Sequence, residues 1–293
     1  MTDERRGAAG THWGPDWSAS RRRGSEDELD GWLAFAIDVA AEADAIALRG
    51  FRSGLATEAK ADGSFVTEAD RAIERLIRER IAARYPDHGI VGEEEEAFQA
   101  GASVRWYVDP IDGTHNFMRG VPLFGTLLAC ERDGELQAGV LSAPALGERW
   151  FARRGGGAWS AGTGPAEGGS PRRIRVSSVA DVGSSQILFS SLPDLERTGL
   201  APGILPLLRA AWRSRGFGDF WGYALVADGS AEAMVETDVK EWDLAAPVIL
   251  VEEAGGRFTD LAGERRFDTR TMLVSNGVLH DEVLARLHDA PRT

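Results

Sequence analysis

A chain of 293 residues, with 43 % hydrophobic and 27 % charged residues, has the composition of a globular protein and the length of one large domain or two closely packed halves. Its net charge of −13 argues against the basic surface that sequence-independent nucleic-acid binding requires, and its apolar runs all fall short of the roughly 18 residues of a membrane helix. The single cysteine, Cys130, lies in the apolar run LFGTLLACE, cannot close an internal disulfide and reads as a buried small hydrophobe, which suits a reducing cytosol.

Residues 1–24 hold charges and glycines but no apolar h-region, so they read as a mobile tail rather than a secretory signal. Ser25 and Glu28 have the spacing of a capping box, and Trp32, Leu33, Ala36, Ile37, Ala40 and Ala43 then recur at helical spacing up to Gly50. EAKADGSFV reads as a turn-rich connection. Thr67 starts a second helix, TEADRAIERLIRERIAARY, which Pro86 stops. HGIVGEEEEAF is a short apolar run feeding an acidic turn, and VRWYVDP is a strand that ends at two acids. FGTLLACERDGELQAGVLSAP predicts a hairpin turning at Asp133-Gly134. ERWFARRGGGAW reads as one further strand, with 155–171 the least structured part, a hairpin tip or a flap. SSQILFSSL is a strand, and PGILPLLRAAWRSRG is helical after its prolines. DFWGYALVADGSAEAMVE reads as helix, glycine stop and strand. EWDLAAPVILVEEAGG is a helix stopped at Gly255-Gly256. GRFTD and TMLVSNG are late strands, and VLHDEVLARLHD is a closing helix. Without a strict βαβ period or an internal repeat, the class is α+β passing into α/β, with sheets layered between helices.

The chemistry concentrates in VDPIDGTHNF. The strand puts Asp109 at its carboxyl end and the turn brings Asp112 to the same side, with the Ile111 carbonyl between them. Hard cations such as Mg²⁺ take such oxygen ligands, and a helix or turn beginning at Gly113-Thr114 would aim N–H groups at an anion. An Asx-type turn is the plain alternative. In GEEEE, Glu95 and Glu96 read as a solvated loop, whereas Glu93 and Glu94 leave the end of an apolar strand, where a metal ligand would be placed. Asp243, in the first turn of an otherwise apolar helix, fits either a ligand or an acid complementing the helix dipole. Thr67 and Asp70 form a capping box, and Asp70 could in addition hold a water.

Gly92-Glu93-Glu94, Asp109-Pro-Ile-Asp-Gly-Thr114 with Asn116-Phe117, and Trp242-Asp243, in that order and spacing, resemble the inositol monophosphatase superfamily over about residues 28–290. The resemblance implies a layered α/β/α/β/α sandwich and Mg²⁺-dependent hydrolysis of phosphate monoesters, with two or three cations per site. It implies that Glu93, Asp109, the Ile111 carbonyl, Asp112 and Asp243 are the metal ligands. Asp112, Gly113 and Thr114 would hold phosphate, and Thr114 and Asp70, with Glu93, would orient the attacking water. It implies an N-terminal half, 25–183, carrying the metal site and a C-terminal half, 184–293, completing it, and a cytoplasmic homodimer acting on a small phosphorylated substrate.

Arg213-x-Arg215-x-x-Gly-Asp219-Phe220, with SAPAL, WDLAA and SNGVLHDEVL, looks like the actinobacterial-type histidinol-phosphatase branch of that family. By the same resemblance Glu236 lines the pocket. Asp219 and Glu236 beside the leaving group favour a cationic alcohol over a neutral polyol, with Arg215 as a further substrate contact. A salt bridge from Asp219 to Arg213 or Arg215 is the structural alternative. His115 departs from the lysine or threonine common at its place in the motif. Other readings are an inositol-1-phosphatase or broad sugar-phosphate phosphatase, and a metal-binding relative without turnover.

Overall fold

The computed structural model describes residues 26–54, 57–59, 65–163 and 170–289. The expected tail, residues 1–24, and Ser25 of the first expected capping box lie outside the described residues. No helix among the described residues is long and apolar enough to cross a membrane.

Helix α1 (Glu26–Gly50) buries Leu29, Trp32, Ala36, Val39, Ala40, Ala43 and Ala47 along one stripe. Strands β1 (Thr57–Ala59) and β2 (Phe65–Thr67) pair antiparallel, where the sequence suggested only turns. Three-residue strands carry too little periodicity to stand out from a connection. Helix α2 (Glu68–Arg84) is capped by Thr67, whose hydroxyl accepts from the N–H groups of Ala69 and Asp70 while the Asp70 carboxylate accepts from Thr67 N–H.

A seven-stranded sheet follows: β3 (Gly89–Gly92), β4 (Val104–Asp112), β5 (Gly125–Arg132), β6 (Glu135–Ala143), β7 (Glu148–Arg153), β8 (Gly157–Gly162) and β9 (Arg172–Ile174), in that order, with only β3 and β4 parallel. The β5–β6 hairpin turns through Asp133 (φ +52°) and Gly134 (φ +86°), as the Asp-Gly pair predicts. ERWFARRGGGAW, expected as one strand, is a second hairpin: Arg153 pairs with Gly157, and Gly155 and Gly157 supply the positive φ its turn needs. Strand β8 accordingly orders 157–162 of the stretch expected to be least regular.

A short helix, α3 (Thr114–Met118), leaves the end of β4. The second sheet contains β10 (Gln186–Phe189), β11 (Arg213–Gly216), β12 (Ala233–Thr237), β13 (Arg257–Thr259) and β14 (Thr271–Ser275), in the order β11-β10-β12-β14-β13. Helices α4 (Leu192–Arg197) and α5 (Ala201–Ala210) connect β10 to β11, and α6 (Asp219–Ala227), α7 (Glu241–Glu253) and α8 (His280–His288) complete the chain. The expected helix over PGILPLLRAAWRSRG differs at both ends. It starts before its prolines, with Pro202 in the first turn, where no helical partner for an N–H is lost, and it gives way to edge strand β11. Gly203 lets α5 close onto α8, since a Cβ there would lie 3.0 Å from the Leu287 carbonyl carbon.

The layers run α1 and α2, the seven-stranded sheet, α6 and α7, the five-stranded sheet, then α5 and α8. Strand alternation assigns each core. On β4, Trp106 and Val108 face α1 and α2 while Tyr107 faces α7. On the second sheet, Leu188, Met234 and Val274 face the central helices, and Ile187, Val235 and Leu273 face α5 and α8. Helix α7 is apolar all round because it is sandwiched, and Gly139 of β6 admits it: a Cβ there would lie 3.1 Å from Ala246 Cα.

Candidate metal and phosphate site

The site forms where β4 ends. Asp109 is 2 % and Asp112 9 % exposed, and carboxylate oxygens of Asp109, Asp112 and Asp243 all lie within 4.8 Å of one another. Three separate elements aim them. Asp243, three residues into α7, accepts the Lys240 backbone N–H at 2.8 Å, so the helix start fixes its carboxylate. Asp112 Oδ2 accepts the Phe220 N–H at 2.5 Å, so the start of α6 grips a residue 108 positions earlier. That grip depends on an unusual corner, because Gly218 (φ +62°) and Asp219 (φ +49°) are both left-handed, a strained choice for aspartate of the kind found at functional sites.

Asp70 is fully buried at the start of α2, one carboxylate oxygen holding Thr67 N–H at 2.8 Å and the Thr67 hydroxyl. Its other oxygen, Oδ1, and Asp109 Oδ1 are buried without a hydrogen-bond partner. Buried carboxylate oxygens are ordinarily satisfied, so this pair points to a cation or water that completes the site. Charge says the same. Burial first, then Glu93, pushes the Asp109 carboxyl well above the usual range, and burial with Asp219 and Asp243 does so for Asp112. Burial raises Asp243 to about 7 and Asp70 to about 6. Anions packed this closely without cations among them are poorly placed unless a cation is shared. The donors are all hard oxygens, the set that suits Mg²⁺, and the fit is good.

Glu93 and Glu94 are half-buried and Glu95 and Glu96 exposed, dividing GEEEE as its apolar lead-in suggested. What holds that turn was missed. Glu74, fully buried on α2, accepts the N–H groups of Glu94 at 2.7 Å and Glu95 at 3.0 Å and pairs with Arg78. The one available signal was its place four residues after Asp70 on the stripe that buries Ile73 and Ile77.

At the turn itself Gly113 is left-handed (φ +81°) and caps α3, and the Thr114 hydroxyl donates to the Ile111 carbonyl at 3.0 Å. Asp219 Oδ2 accepts from Asn116 Nδ2 at 3.2 Å, tying the motif to the α6 corner. Burial lifts Asp219 to about 6, and the exposed His115 beside it pulls the other way. Glu236 is 5 % exposed, accepts the Tyr223 hydroxyl at 2.5 Å and is raised to about 8 by burial, then by Asp219. Asp219 and Glu236 therefore adjoin the Asp112–Asp243 cluster as a second acidic wall. Arg215 stands apart on edge strand β11, exposed, its Nη1 donating to the Ser214 carbonyl. Among the described residues no salt bridge joins Asp219 to Arg213 or Arg215.

The chain is similar to a histidinol-phosphatase of Mycobacterium tuberculosis, 42 % identical over 257 residues that cover 87 % of this chain and 97 % of the relative. A histidinol-phosphatase of Streptomyces coelicolor is 41 % identical over 89 % of this chain and 98 % of its own length. Among solved structures, an IMPase of Thermotoga maritima superposes with a TM-score of 0.77 at 31 % identity, over 90 % of this chain and 97 % of that one. With the family model for inositol monophosphatases matching residues 28–292, nearly everything the structure describes, the chain belongs to the inositol monophosphatase family.

Proposed function

We propose that the chain hydrolyses a phosphate monoester of a cationic alcohol, and that this substrate is histidinol phosphate. The observation that carries the reading is the continuity of two acidic groups: the Asp109, Asp112 and Asp243 cluster, and the Asp219–Glu236 wall beside it. Histidinol carries an ammonium and an imidazole, whose positive charge favours the ionised forms of Asp219 and Glu236 and pairs with them, whereas a neutral polyol offers these acids no opposite charge. The similarity to two histidinol-phosphatases supports the same choice.

In this reading Glu93, Asp109, Asp112, Asp243 and the Ile111 carbonyl would hold two or three Mg²⁺ ions. Such cations lower the pKa of a bound water and offset charge on the leaving oxygen. The chain's own residues do the rest. N–H groups at Gly113 and Thr114 take phosphate oxygens. Asp70 Oδ1, unpartnered and buried, accepts a proton of the attacking water, with Thr114 and Glu93 fixing its direction. Asp219 and Glu236 hold the leaving group. A cytoplasmic homodimer serving histidine biosynthesis is the form we expect.

Selectivity tests the reading. Asp219→Ala and Glu236→Gln should each lower kcat/KM for histidinol phosphate by about tenfold or more while leaving inositol-1-phosphate nearly unchanged, the usual scale for losing a buried charge partner. An equal loss on both substrates would make the acidic wall structural.

A further inference from the structure

Asp109 and Asp112 are three residues apart on one strand, and side chains on a strand alternate faces with a period of two. A regular strand would send them to opposite sides of the sheet, yet their oxygens meet with Asp243 within 4.8 Å. The cause is a bulge. Asp109 pairs with Leu127 and Asp112 with Gly125, so three steps along β4 run against two along β5. Pro110 and Ile111 together oppose Thr126.

A bulge leaves ladder groups without their ordinary partners. Pro110 has no N–H to leave unpaired, and its carbonyl is met by Thr126 Oγ1 at 2.8 Å. Thr126 is 1 % exposed, so bulk water cannot stand in for its hydroxyl. The next carbonyl, of Ile111, is met from the other side by Thr114 Oγ1. Two threonine hydroxyls thus hold the two peptide planes between the acids. Thr126 is itself fixed from behind: it pairs with Ser142 of β6, and the neighbouring Gly125 lets β6 approach, since a Cβ there would lie 2.8 Å from the Ser142 carbonyl oxygen.

We infer that the Thr126 hydroxyl is a positioning group that sets divalent-cation affinity, by fixing the bulge that brings Asp109 and Asp112 to one side. It touches neither cation nor substrate and acts through the Pro110 carbonyl. Without it that buried carbonyl loses its side-chain donor, and the peptide gains freedom to rotate, which turns the Ile111 carbonyl and Asp112 with it. The inference rests on the reading that Asp109 and Asp112 hold the cation.

Isothermal titration of metal-stripped protein with Mn²⁺ tests it. Thr126→Val keeps the side-chain shape and removes the hydroxyl. It should weaken Mn²⁺ binding by about tenfold or more, the range seen when a group that orients a metal ligand is lost, and Thr126→Ser should restore most of that affinity. Should the valine variant fail to fold, Thr126→Ala against Thr126→Ser decides, since both lack the methyl and differ only in the hydroxyl. Asp112→Asn runs beside them. If it binds Mn²⁺ like the parent, the metal reading fails and takes the inference with it. If it loses binding while the hydroxyl-free Thr126 variant matches the parent, Thr126 is merely structural and the inference is overturned.

Discussion

Gly92→Ala is a small change with a large expected effect. Gly92 is not in the left-handed region, so alanine is allowed there by its backbone and any penalty comes from contact. A Cβ at that point would lie 2.7 Å from the Glu74 carboxyl carbon and 2.9 Å from Arg78 Nη2, closer than real Cβ atoms come. Glu74 is fully buried and cannot swing to solvent. Displacing it gives up its bonds from Glu94 N–H and Glu95 N–H. Hydrogen bonds to a charged group contribute about 1.5–3 kcal/mol each, so the loss is about 3 kcal/mol at the low end. For a chain of this size that corresponds to a fall in Tm of roughly 6–12 °C. The same movement releases the turn that carries Glu93 toward Asp109, so cation binding should weaken as well. Thermal unfolding of the metal-free variant reads the first effect, and Mn²⁺ titration reads the second. A Tm within about 2 °C of the parent, with unaltered metal binding, would refute the idea that Glu74 holds this turn.

Asp112→Asn should abolish phosphate release while circular dichroism and the unfolding transition stay near those of the parent, because the amide keeps an oxygen for the Phe220 N–H; a near-normal rate would remove Asp112 from the metal site. Stability should also depend on pH in a set direction. Asp219, Asp243 and Glu236 rise to about 6, 7 and 8 on folding, from 3.8, 3.8 and 4.5. Between about pH 4 and pH 8 the folded metal-free protein therefore binds protons that the unfolded chain has released, and its stability falls as pH rises through that window. Mg²⁺ competes with those protons, so its stabilising shift in Tm should be larger at pH 8 than at pH 6. Equal shifts at both would show that the buried acids do not share the cation.

The site's main parts were legible because they are local. Asp109-Pro-Ile-Asp-Gly-Thr114 is a strand end and a turn, and each residue's chemistry follows from its neighbours in sequence. Long helices and the Asp133-Gly134 hairpin were legible for the same reason. What escaped depends on distant partners. Nothing near Glu74 says that its carboxylate will meet the backbone of residues 94 and 95, and nothing near Thr126 says that it faces a bulge. Strand β11 was hidden because Arg213–Gly216 has no apolar alternation, as an edge strand exposed to solvent need not. The second hairpin turns at Gly155-Gly156-Gly157, and a run of glycines suits irregular chain as well as a turn, so the sequence alone does not separate the two. The alternative of a salt bridge from Asp219 could be resolved only by seeing that Asp219 turns to Asn116 of α3 and that, among the described residues, no ion pair joins it to Arg213 or Arg215.

The most direct test of the whole account is phosphate release by the purified protein, with Mg²⁺ and again after chelation, from histidinol phosphate and from inositol-1-phosphate under the same conditions. The account predicts Mg²⁺-dependent turnover with kcat/KM for histidinol phosphate well above that for inositol-1-phosphate. The reverse preference would contradict the assignment of the Asp219–Glu236 wall to a cationic alcohol, and release from neither would contradict catalysis itself.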